Sequence, residues 1–163
     1  MVRNECAPYG EQPLINRATA PSPFGPLTVT ERDDLITGVF WGAGGTEATP
    51  ILAEALRQLA AYFAGGLTRF DLPLEPGSGF GARMRAVMCA IPYGETRTYG
   101  EIGRDLGVTA QAVGQGCGAN PMPILVPCHR VLGTSGLGGF SAPGGVETKV
   151  ALLRHEGAAG LLI

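Results

Sequence analysis

The sequence predicts an α+β fold with two parts: a small amino-terminal hairpin or sheet with one helix, and a mainly helical, winged-helix-like carboxy-terminal domain containing a helix-turn-helix. Three observations predict it. Two strand-rich stretches near the amino terminus precede a capped helix. A connector rich in proline and glycine follows. Apolar residues then recur at helical spacing in several short segments.

Composition and these pattern changes set the expected domain limits. The chain has 163 residues, of which 45% are hydrophobic and 16% charged, a balance typical of globular proteins. Residues 1–19 show no clear period and are expected to form an amino-terminal arm. Residues 20–76 are expected to form the small α+β domain, and residues 77–163 the second domain.

Cellular location and assembly are predicted from what the sequence does not contain. No apolar run approaches the roughly 20 residues that span a membrane. The first twenty residues also lack the charged start and apolar block of a signal peptide. We therefore expect a cytoplasmic protein without membrane contact. No exposed apolar stripe is left over, which favours a monomer.

The first domain is predicted from two local signals. Residues 27–30 and 35–41 are rich in strand-forming residues, and the polar segment 31–34 between them is typical of a turn, so a hairpin is expected. Thr49 is a good helix cap and Pro50 suits the first helical position. Apolar residues at helical spacing follow them, which predicts one helix after the hairpin.

The second domain is predicted to be a series of helices. One begins near Phe80, and a short one over residues 98–107 is closed by a glycine. Residues 109–117 predict another, and a last helix begins near Val146. Two short helices joined by a tight glycine turn are typical of a helix-turn-helix, although many helical hairpins bind no nucleic acid.

The helix after Thr109 has an unusual composition for a DNA-reading element. No charged residue occurs between Thr109 and Asn120, and alanine and glycine dominate. Such a bare backbone can approach a groove closely and donate N–H groups to phosphates, but it cannot read bases through arginine. The alternative is that the small residues only allow close packing against another helix.

Net charge gives limited support for nucleic-acid binding. The formal net charge is −2 and the pI is about 5.7, whereas phosphate neutralisation normally supplies much of the affinity for DNA. The two halves differ, since residues 1–76 carry a net charge of −4 and residues 77–163 carry +2. Any contact with nucleic acid is therefore expected in the second domain.

The cysteines do not form a metal-binding pattern. Four are scattered through the chain without a Cys-x-x-Cys spacing, and the sequence contains only two histidines. In a cytosolic protein these cysteines should be reduced. Neither a structural zinc site nor any other metal or cofactor is expected.

A Cys-His pair lies within the apolar segment 120–132. The run 124–126 predicts buried backbone, and Pro127 should end any strand there because it has no N–H to donate. Cys128 and His129 are therefore expected in or at the edge of the core. A thiol beside an imidazole is a minimal nucleophile. The alternative is an inert core cysteine.

This segment, Asn-Pro-x-Pro-Ile-x-Val-Pro-Cys-His-Arg-Val-Leu, resembles the active-site signature of the O6-alkylguanine-DNA alkyltransferases, also called methylated-DNA–protein-cysteine methyltransferases. The resemblance extends over roughly residues 20–157. It implies DNA repair by direct reversal, in which an alkylated guanine is flipped out of the duplex and its alkyl group passes irreversibly to Cys128. The implied partner is double-stranded DNA containing alkylated guanine.

The resemblance also implies catalytic roles for four further residues. His129 acts as a base through a water molecule and is oriented by the carboxylate of Glu156. Asn120 links the DNA-binding helix to the active-site strand, although a local Asn-Pro turn is an equally good alternative from the sequence. Tyr99 lies beside the flipped nucleotide, where its phenol can protonate the departing guanine oxygen.

Pocket and DNA contacts follow from the same resemblance. Val126 and Pro127 are expected to line the pocket, and Phe140 with Ser141 belongs to the loop that closes over the base. Plain packing is the alternative for each of these four residues. The residues expected to contact DNA are Thr109, Ala110, Gln111, Ala112, Gly114 and Arg130.

The sequence departs from the family pattern at several positions. Gln111 occupies the place of an arginine that inserts into the space left by the flipped base. Before the predicted helix-turn-helix, Phe80 is kept, but Gly81 and Arg85 replace the usual glutamine and tryptophan. The loop carries two additional residues near 142–143. We expect weaker base flipping or weaker DNA affinity.

Two other functions are consistent with the same motif. A lesion-binding module without catalysis would bind alkylated DNA and leave its own cysteine unmodified. A Cys-His hydrolase would turn over an ester substrate many times, whereas an alkyltransferase reacts once per molecule.

Overall fold

The computed structural model describes residues 14–158, and the first of its two parts is built on an antiparallel sheet. The strands are β1 (Asn16–Ala20), β2 (Leu27–Arg32) and β3 (Leu35–Trp41), in the order β1-β2-β3. The predicted β2–β3 hairpin is confirmed. Its turn is shorter than expected, because only two residues separate the strands.

The hairpin turn consists of Asp33 and Asp34, which both have positive φ angles of 52° and 63°. Two left-handed residues in succession match the twist of a tight antiparallel hairpin, and aspartate tolerates this conformation better than most residues. β2 and β3 are therefore held in register, apart from an irregularity between Thr30 and Glu31.

The amino-terminal arm expected over residues 1–19 extends too far along the chain, because its last residues form a strand. Residues 16–19 belong to β1, which pairs with β2 from Asn16 opposite Glu31 to Ala20 opposite Leu27. β1 is a short edge strand without apolar alternation, so its place in the sheet comes from pairing with β2 and not from a local pattern. Residues 1–13 lie outside the described part of the chain.

Helix α1 (Pro50–Phe63) packs against this sheet. As predicted, Thr49 is the N-cap and Pro50 the first helical residue; the Thr49 hydroxyl accepts a hydrogen bond from the Leu52 N–H at 3.3 Å. The buried face of α1 includes Leu52, Leu59 and Tyr62. Through this face, α1 contributes residues to the core that the first part shares with the second part of the chain.

The second part contains four α-helices within the described residues. They are α2 (Gly79–Cys89), α3 (Tyr99–Leu106), α4 (Ala110–Gly118) and α5 (Val146–His155). Two short parallel strands, β4 (Arg97–Thr98) and β5 (Val131–Leu132), tie the start of α3 to the segment after the Cys-His pair. The α+β class predicted from the sequence is confirmed.

Helices α3 and α4 form the predicted two-helix unit. α3 begins with a capping box, in which Thr98 and Glu101 exchange hydrogen bonds with each other's main chain. It ends at Gly107, whose φ of 69° is the left-handed conformation that favours glycine. Thr109 then caps α4. Gly103 allows this tight turn, because a Cβ at that position would lie 2.7 Å from the Val108 carbonyl oxygen.

The expected strand through residues 124–126 is wrong. Ile124 has a φ of 73°, and the backbone makes one isolated bridge, between Pro123 and Val126, before Cys128–Arg130 forms a single turn of 3-10 helix. Pro123 and Pro127 remove two N–H donors from this short segment, which leaves no continuous ladder. The predicted burial is confirmed, because the segment lies in the core.

The two parts share one hydrophobic core. The buried cluster joins Val29 and Leu59 from the first part to Ile102, Val126 and Leu152 from the second. The Val39 N–H also donates to the Pro121 carbonyl at 2.9 Å, directly linking β3 to the segment that carries the Cys-His pair. Between residues 14 and 158, no helix has the length and hydropathy to cross a bilayer.

Candidate active site

Cys128 opens onto a cavity of about 700 Å³ between α4 and the glycine-rich loop after β5. Its side chain is largely buried, at 7% exposure. The cavity brings together Tyr99, Gln111, Asn120 and Cys128, which are far apart in the sequence. Four more of the residues predicted for the site also line this cavity, namely Ala110, Gly114, Phe140 and Ser141.

Burial raises the pKa of the Cys128 thiol above its ordinary value. A hydrogen bond from Asn120 and the charge of Lys149 act in the opposite direction without overcoming it. Cys128 is therefore a protonated thiol at neutral pH, and it needs a base when it reacts.

His129 is fully buried and, within the part of the chain that the structure describes, makes a hydrogen bond through only one of its two ring nitrogens. Its Nε2 lies 2.7 Å from Glu156 Oε1, and since an ionised carboxylate can only accept, Nε2 carries the proton. Nδ1 is buried with no hydrogen-bond partner among the described residues. Burial lowers the pKa of His129 more than Glu156 raises it. The imidazole is thus neutral, with Nδ1 as the basic atom.

Glu156 lies at the end of α5 and accepts hydrogen bonds from three side chains. His129 Nε2, Tyr62 Oη and Arg130 Nη2 donate to Oε1 at 2.7, 2.8 and 2.9 Å, and Arg130 Nε donates to Oε2 at 2.9 Å. Burial alone would raise the pKa of this carboxyl, but the hydrogen bonds from His129 and Arg130 lower it to about 2. Glu156 is a fixed anion behind the histidine.

The expected DNA contact of Arg130 is wrong. Its side chain is buried, with its guanidinium paired to Glu156 and its Nη1 donating to the Ile91 carbonyl at 2.7 Å. An arginine in a Cys-His-Arg sequence beside a predicted DNA surface suggests phosphate contact. Instead, the guanidinium balances the carboxylate inside the core.

Asn120 takes both of the arrangements left open by the sequence. Its Oδ1 accepts from the Met122 N–H at 3.1 Å, which is a local turn after α4. Its Nδ2 donates to the Val126 carbonyl at 2.9 Å. The side chain therefore ties the end of α4 to the backbone just before Cys128.

Helix α4 presents its small residues in two directions. Ala110, Gln111 and Gly114 lie on the side that borders the cavity. On the opposite side, a Cβ added at Gly116 would lie 2.8 Å from Met84 Cγ of α2. Close helix packing thus explains Gly116, but it does not explain the small residues along the cavity.

Two residues predicted to contact DNA have other positions on the same helix. Thr109 is exposed and caps α4, accepting the Ala112 N–H at 3.1 Å. Ala112 is half-buried and does not line the cavity. Gln115, which sequence reasoning did not single out, does line it. Gln115 lies four residues after Gln111 and therefore on the same face of the helix, which is a signal that the sequence contains.

Val126 and Pro127 do not line the cavity of Cys128. The Val126 side chain is fully buried in the core, and Pro127 borders a second cavity of about 660 Å³ beside Tyr93 and Phe70. The 3-10 turn places the thiol on one side and the preceding proline on the other.

Lys149 is a buried residue of the site that sequence reasoning missed. Its Nζ donates to the carbonyls of Val131, Leu137 and Gly139 at 2.7, 2.6 and 3.3 Å, and it lies 5.7 Å from the centre of the Tyr99 ring. It therefore holds the glycine-rich loop beside the cavity. A single lysine in an amphipathic helix carries no local signal for such burial.

The first domain also touches this loop. Trp41 at the end of β3 meets the Phe140 ring edge-on, with centroids 6.3 Å apart. An edge-to-face pair of this kind stabilises a contact by about 0.5–1.5 kcal/mol beyond its buried area. Phe140 is thus held between the cavity and the amino-terminal sheet.

Comparison with known proteins gives matches over both parts of the chain. Residues 15–76 match the ribonuclease-like domain of 6-O-methylguanine DNA methyltransferase, and residues 79–158 match its DNA binding domain. A methylated-DNA–protein-cysteine methyltransferase of Mycolicibacterium paratuberculosis is 44% identical over 155 residues, covering 88% of this chain and 93% of that protein. The constitutive Bacillus subtilis protein of the same name is 41% identical, covering 85% and 93%.

Solved structures show the same similarity. The crystal structure of Mycobacterium tuberculosis O6-methylguanine methyltransferase has a TM-score of 0.78 at 38% identity, covering 92% of this chain and 97% of the other. A crystal structure of the Mycobacterium tuberculosis protein OGT in complex with DNA has a TM-score of 0.77 at 42% identity, covering 87% and 92%. The fold is thus similar to that of these proteins, one of which was solved in complex with DNA.

Proposed function

This chain belongs to the 6-O-methylguanine DNA methyltransferase family, and on that premise we propose that it repairs DNA by moving an alkyl group from O6-alkylguanine irreversibly to its own Cys128. The observation that carries the proposal is that the Cys128 thiol opens onto a cavity bordered by α4, with a buried histidine–carboxylate pair behind it. The activity is that of a single-turnover methylated-DNA–[protein]-cysteine S-methyltransferase.

The proposed reaction is a direct displacement at the alkyl carbon. The thiol proton passes through one water to Nδ1 of His129, and Glu156 stabilises the imidazolium. The Cys128 sulfur attacks, the S–C bond forms and the bond between carbon and the guanine oxygen breaks. Tyr99 donates a proton to the departing base. Burial raises the pKa of Tyr99, so the phenol still carries its proton when the base enters the cavity.

Proposed DNA recognition uses the cavity side of α4. Its small residues allow close approach to a groove, and main-chain N–H groups near Ala110 can meet phosphates. Gln111, exposed at the cavity, is proposed to occupy the space of the flipped base. Residues 77–163 would then bind DNA and carry out transfer, with residues 20–76 as a supporting domain. The protein is proposed to act as a cytoplasmic monomer.

Intact-mass spectrometry after incubation with a duplex containing one O6-methylguanine tests the proposal. We expect a gain of one methyl group, mapped to Cys128 and saturating at one per protein. An unmodified duplex is the control. Binding of the methylated duplex without any gain in mass would instead support a lesion-binding protein. Repeated turnover of an ester without a stoichiometric limit would support a hydrolase.

Replacing Gln111 with arginine should tighten binding to the methylated duplex several-fold and accelerate transfer. Arginine is longer and charged, so it can fill the vacated position and add electrostatic attraction to DNA. Fluorescence anisotropy at a fixed salt concentration measures the affinity, and single-turnover mass spectrometry measures the rate. Gln115→Arg is the matched control, because it adds the same charge one turn along the same helix. Equal gains from both variants would show that charge alone, and not position 111, is limiting.

A further inference from the structure

Tyr62 connects the amino-terminal domain to the proposed proton relay. It lies on α1 and is almost fully buried, at 1% exposure. Its hydroxyl donates to Glu156 Oε1 at 2.8 Å, across 94 residues of sequence. The same oxygen accepts the hydrogen bond from His129 Nε2. A hydroxyl from the first domain is therefore two hydrogen bonds away from His129, the proposed base, with Glu156 Oε1 between them.

The position of this hydroxyl is fixed from several sides. The Tyr62 main-chain oxygen accepts a hydrogen bond from Nε2 of His155 at 2.7 Å, and His155 directly precedes Glu156 in the sequence. Its ring packs at 5.0 Å from the His155 ring, 5.3 Å from Phe70 and 6.2 Å from Tyr93, measured between centroids. Two successive residues at the end of α5 are thus tied to one residue of α1.

The hydroxyl has two consequences for the relay. By occupying Oε1 together with His129 and Arg130, it limits rotation of the carboxylate and keeps Oε1 directed at the imidazole. It also withdraws charge from Oε1, which weakens the attraction of Glu156 for a protonated His129. Burial raises the pKa of Tyr62 far above its ordinary value, so the phenol remains a donor.

We infer that Tyr62 is a positioning residue for alkyl transfer, whose hydroxyl holds the Glu156 carboxylate that orients His129. The inference rests on the proposed function and assigns the amino-terminal domain a direct part in it. Tyr62 does not border the cavity of Cys128, so it acts only through Glu156. The titratable and charged groups that face the His129–Glu156 pair are Tyr62 on α1, Tyr93 after α2, Cys128 and Arg130 on the 3-10 turn, and Lys149 on α5.

Tyr62→Phe removes this hydroxyl and keeps the ring. We expect the single-turnover transfer rate to fall about tenfold, because the hydrogen-bonded His129–Glu156 pair can then shift relative to Cys128, while affinity for the methylated duplex stays unchanged. We also expect a change in the pH profile. Wild-type transfer should decline at acid pH as His129 takes up a proton. Without the hydroxyl, Glu156 stabilises the imidazolium more strongly, so the midpoint of this decline moves to higher pH.

Tyr93→Phe is the matched control. The Tyr93 ring packs beside Tyr62, but its hydroxyl donates to the His155 main-chain oxygen at 3.2 Å. This variant should keep the wild-type midpoint. Incorporating 3-fluorotyrosine at position 62 keeps the side chain in place and strengthens the donor, so the midpoint should move to lower pH. It also provides the test if Tyr62→Phe does not fold.

Three results would overturn the inference. One is a Tyr62→Phe protein with wild-type rate and pH profile. Another is a variant that only melts at lower temperature, with an unshifted midpoint, because that marks a packing role alone. A 3-fluorotyrosine protein with the wild-type midpoint also contradicts it. A wild-type protein that transfers no methyl group at any pH would overturn the proposed function itself, and the inference with it.

Discussion

Replacing Cys128 with alanine should abolish alkyl transfer completely, while the fold and binding of the methylated duplex persist. The thiol is the proposed acceptor of the alkyl group, so its removal leaves no sulfur for the S–C bond to form on. Cys128 is small and lies at the edge of a cavity, which makes alanine a tolerable replacement. Intact-mass spectrometry should show no mass gain, and a gel-shift should show retained binding.

Cys117→Ala is the matched control for this experiment. Cys117 lines the same cavity and is also largely buried, at 9% exposure. Burial raises the pKa of its thiol to about 12, and it has no neighbouring histidine in the sequence. This variant should still gain one methyl group per protein. Methyl gain in Cys128→Ala, or its loss in Cys117→Ala, would show that the acceptor has been misassigned.

Replacing Arg130 with methionine should lower the free energy of unfolding by about 3–5 kcal/mol, the cost of leaving one member of a buried ion pair uncompensated. Arg130 supplies two of the hydrogen bonds that Glu156 accepts, together with one to the Ile91 carbonyl. Methionine fills much of the volume but leaves an unpaired carboxylate in the core. Chemical denaturation followed by circular dichroism measures the loss.

Arg32→Met provides the comparison for an exposed pair. Arg32 contacts Glu75 at 2.8 Å, with side chains 36% and 40% exposed, so its loss should cost only about 0–1 kcal/mol. The contrast between the two arginines separates burial from charge. If Arg130→Met instead kept its stability and lost DNA affinity, the contact expected from the sequence would be right and the structural assignment wrong.

The sequence by itself determined the elements whose signals are local. The β2–β3 hairpin, the Thr49 cap of α1 and the glycine that ends α3 each depend on residues within a few positions of one another. The burial of the Cys128–His129 pair was also predicted in this way, from its apolar surroundings. Such features follow from backbone preferences and capping, which act over one or two turns.

The path of the chain into Cys128 could not be predicted from the same signals. An apolar run of this length suits a buried strand as well as irregular buried backbone, and the sequence does not distinguish them. Pro123 and Pro127 leave too few donors for a ladder, so the segment turns at Ile124 and enters the 3-10 turn. As a result, Val126 and Pro127 do not line the cavity that they were expected to line.

Only the tertiary structure decided how the proposed relay is assembled. Glu156 accepts hydrogen bonds from Tyr62, His129 and Arg130, which come from two domains, and Lys149 holds the loop beside the cavity from inside the core. The three side chains that bond Glu156 lie at least 26 residues from it in the sequence. Buried polar groups must find hydrogen bonds wherever packing brings donors and acceptors together. That requirement operates through space, which is why the Cys-His motif and the family resemblance indicated the nucleophile and its base, but not the roles of Tyr62 and Arg130 in holding Glu156.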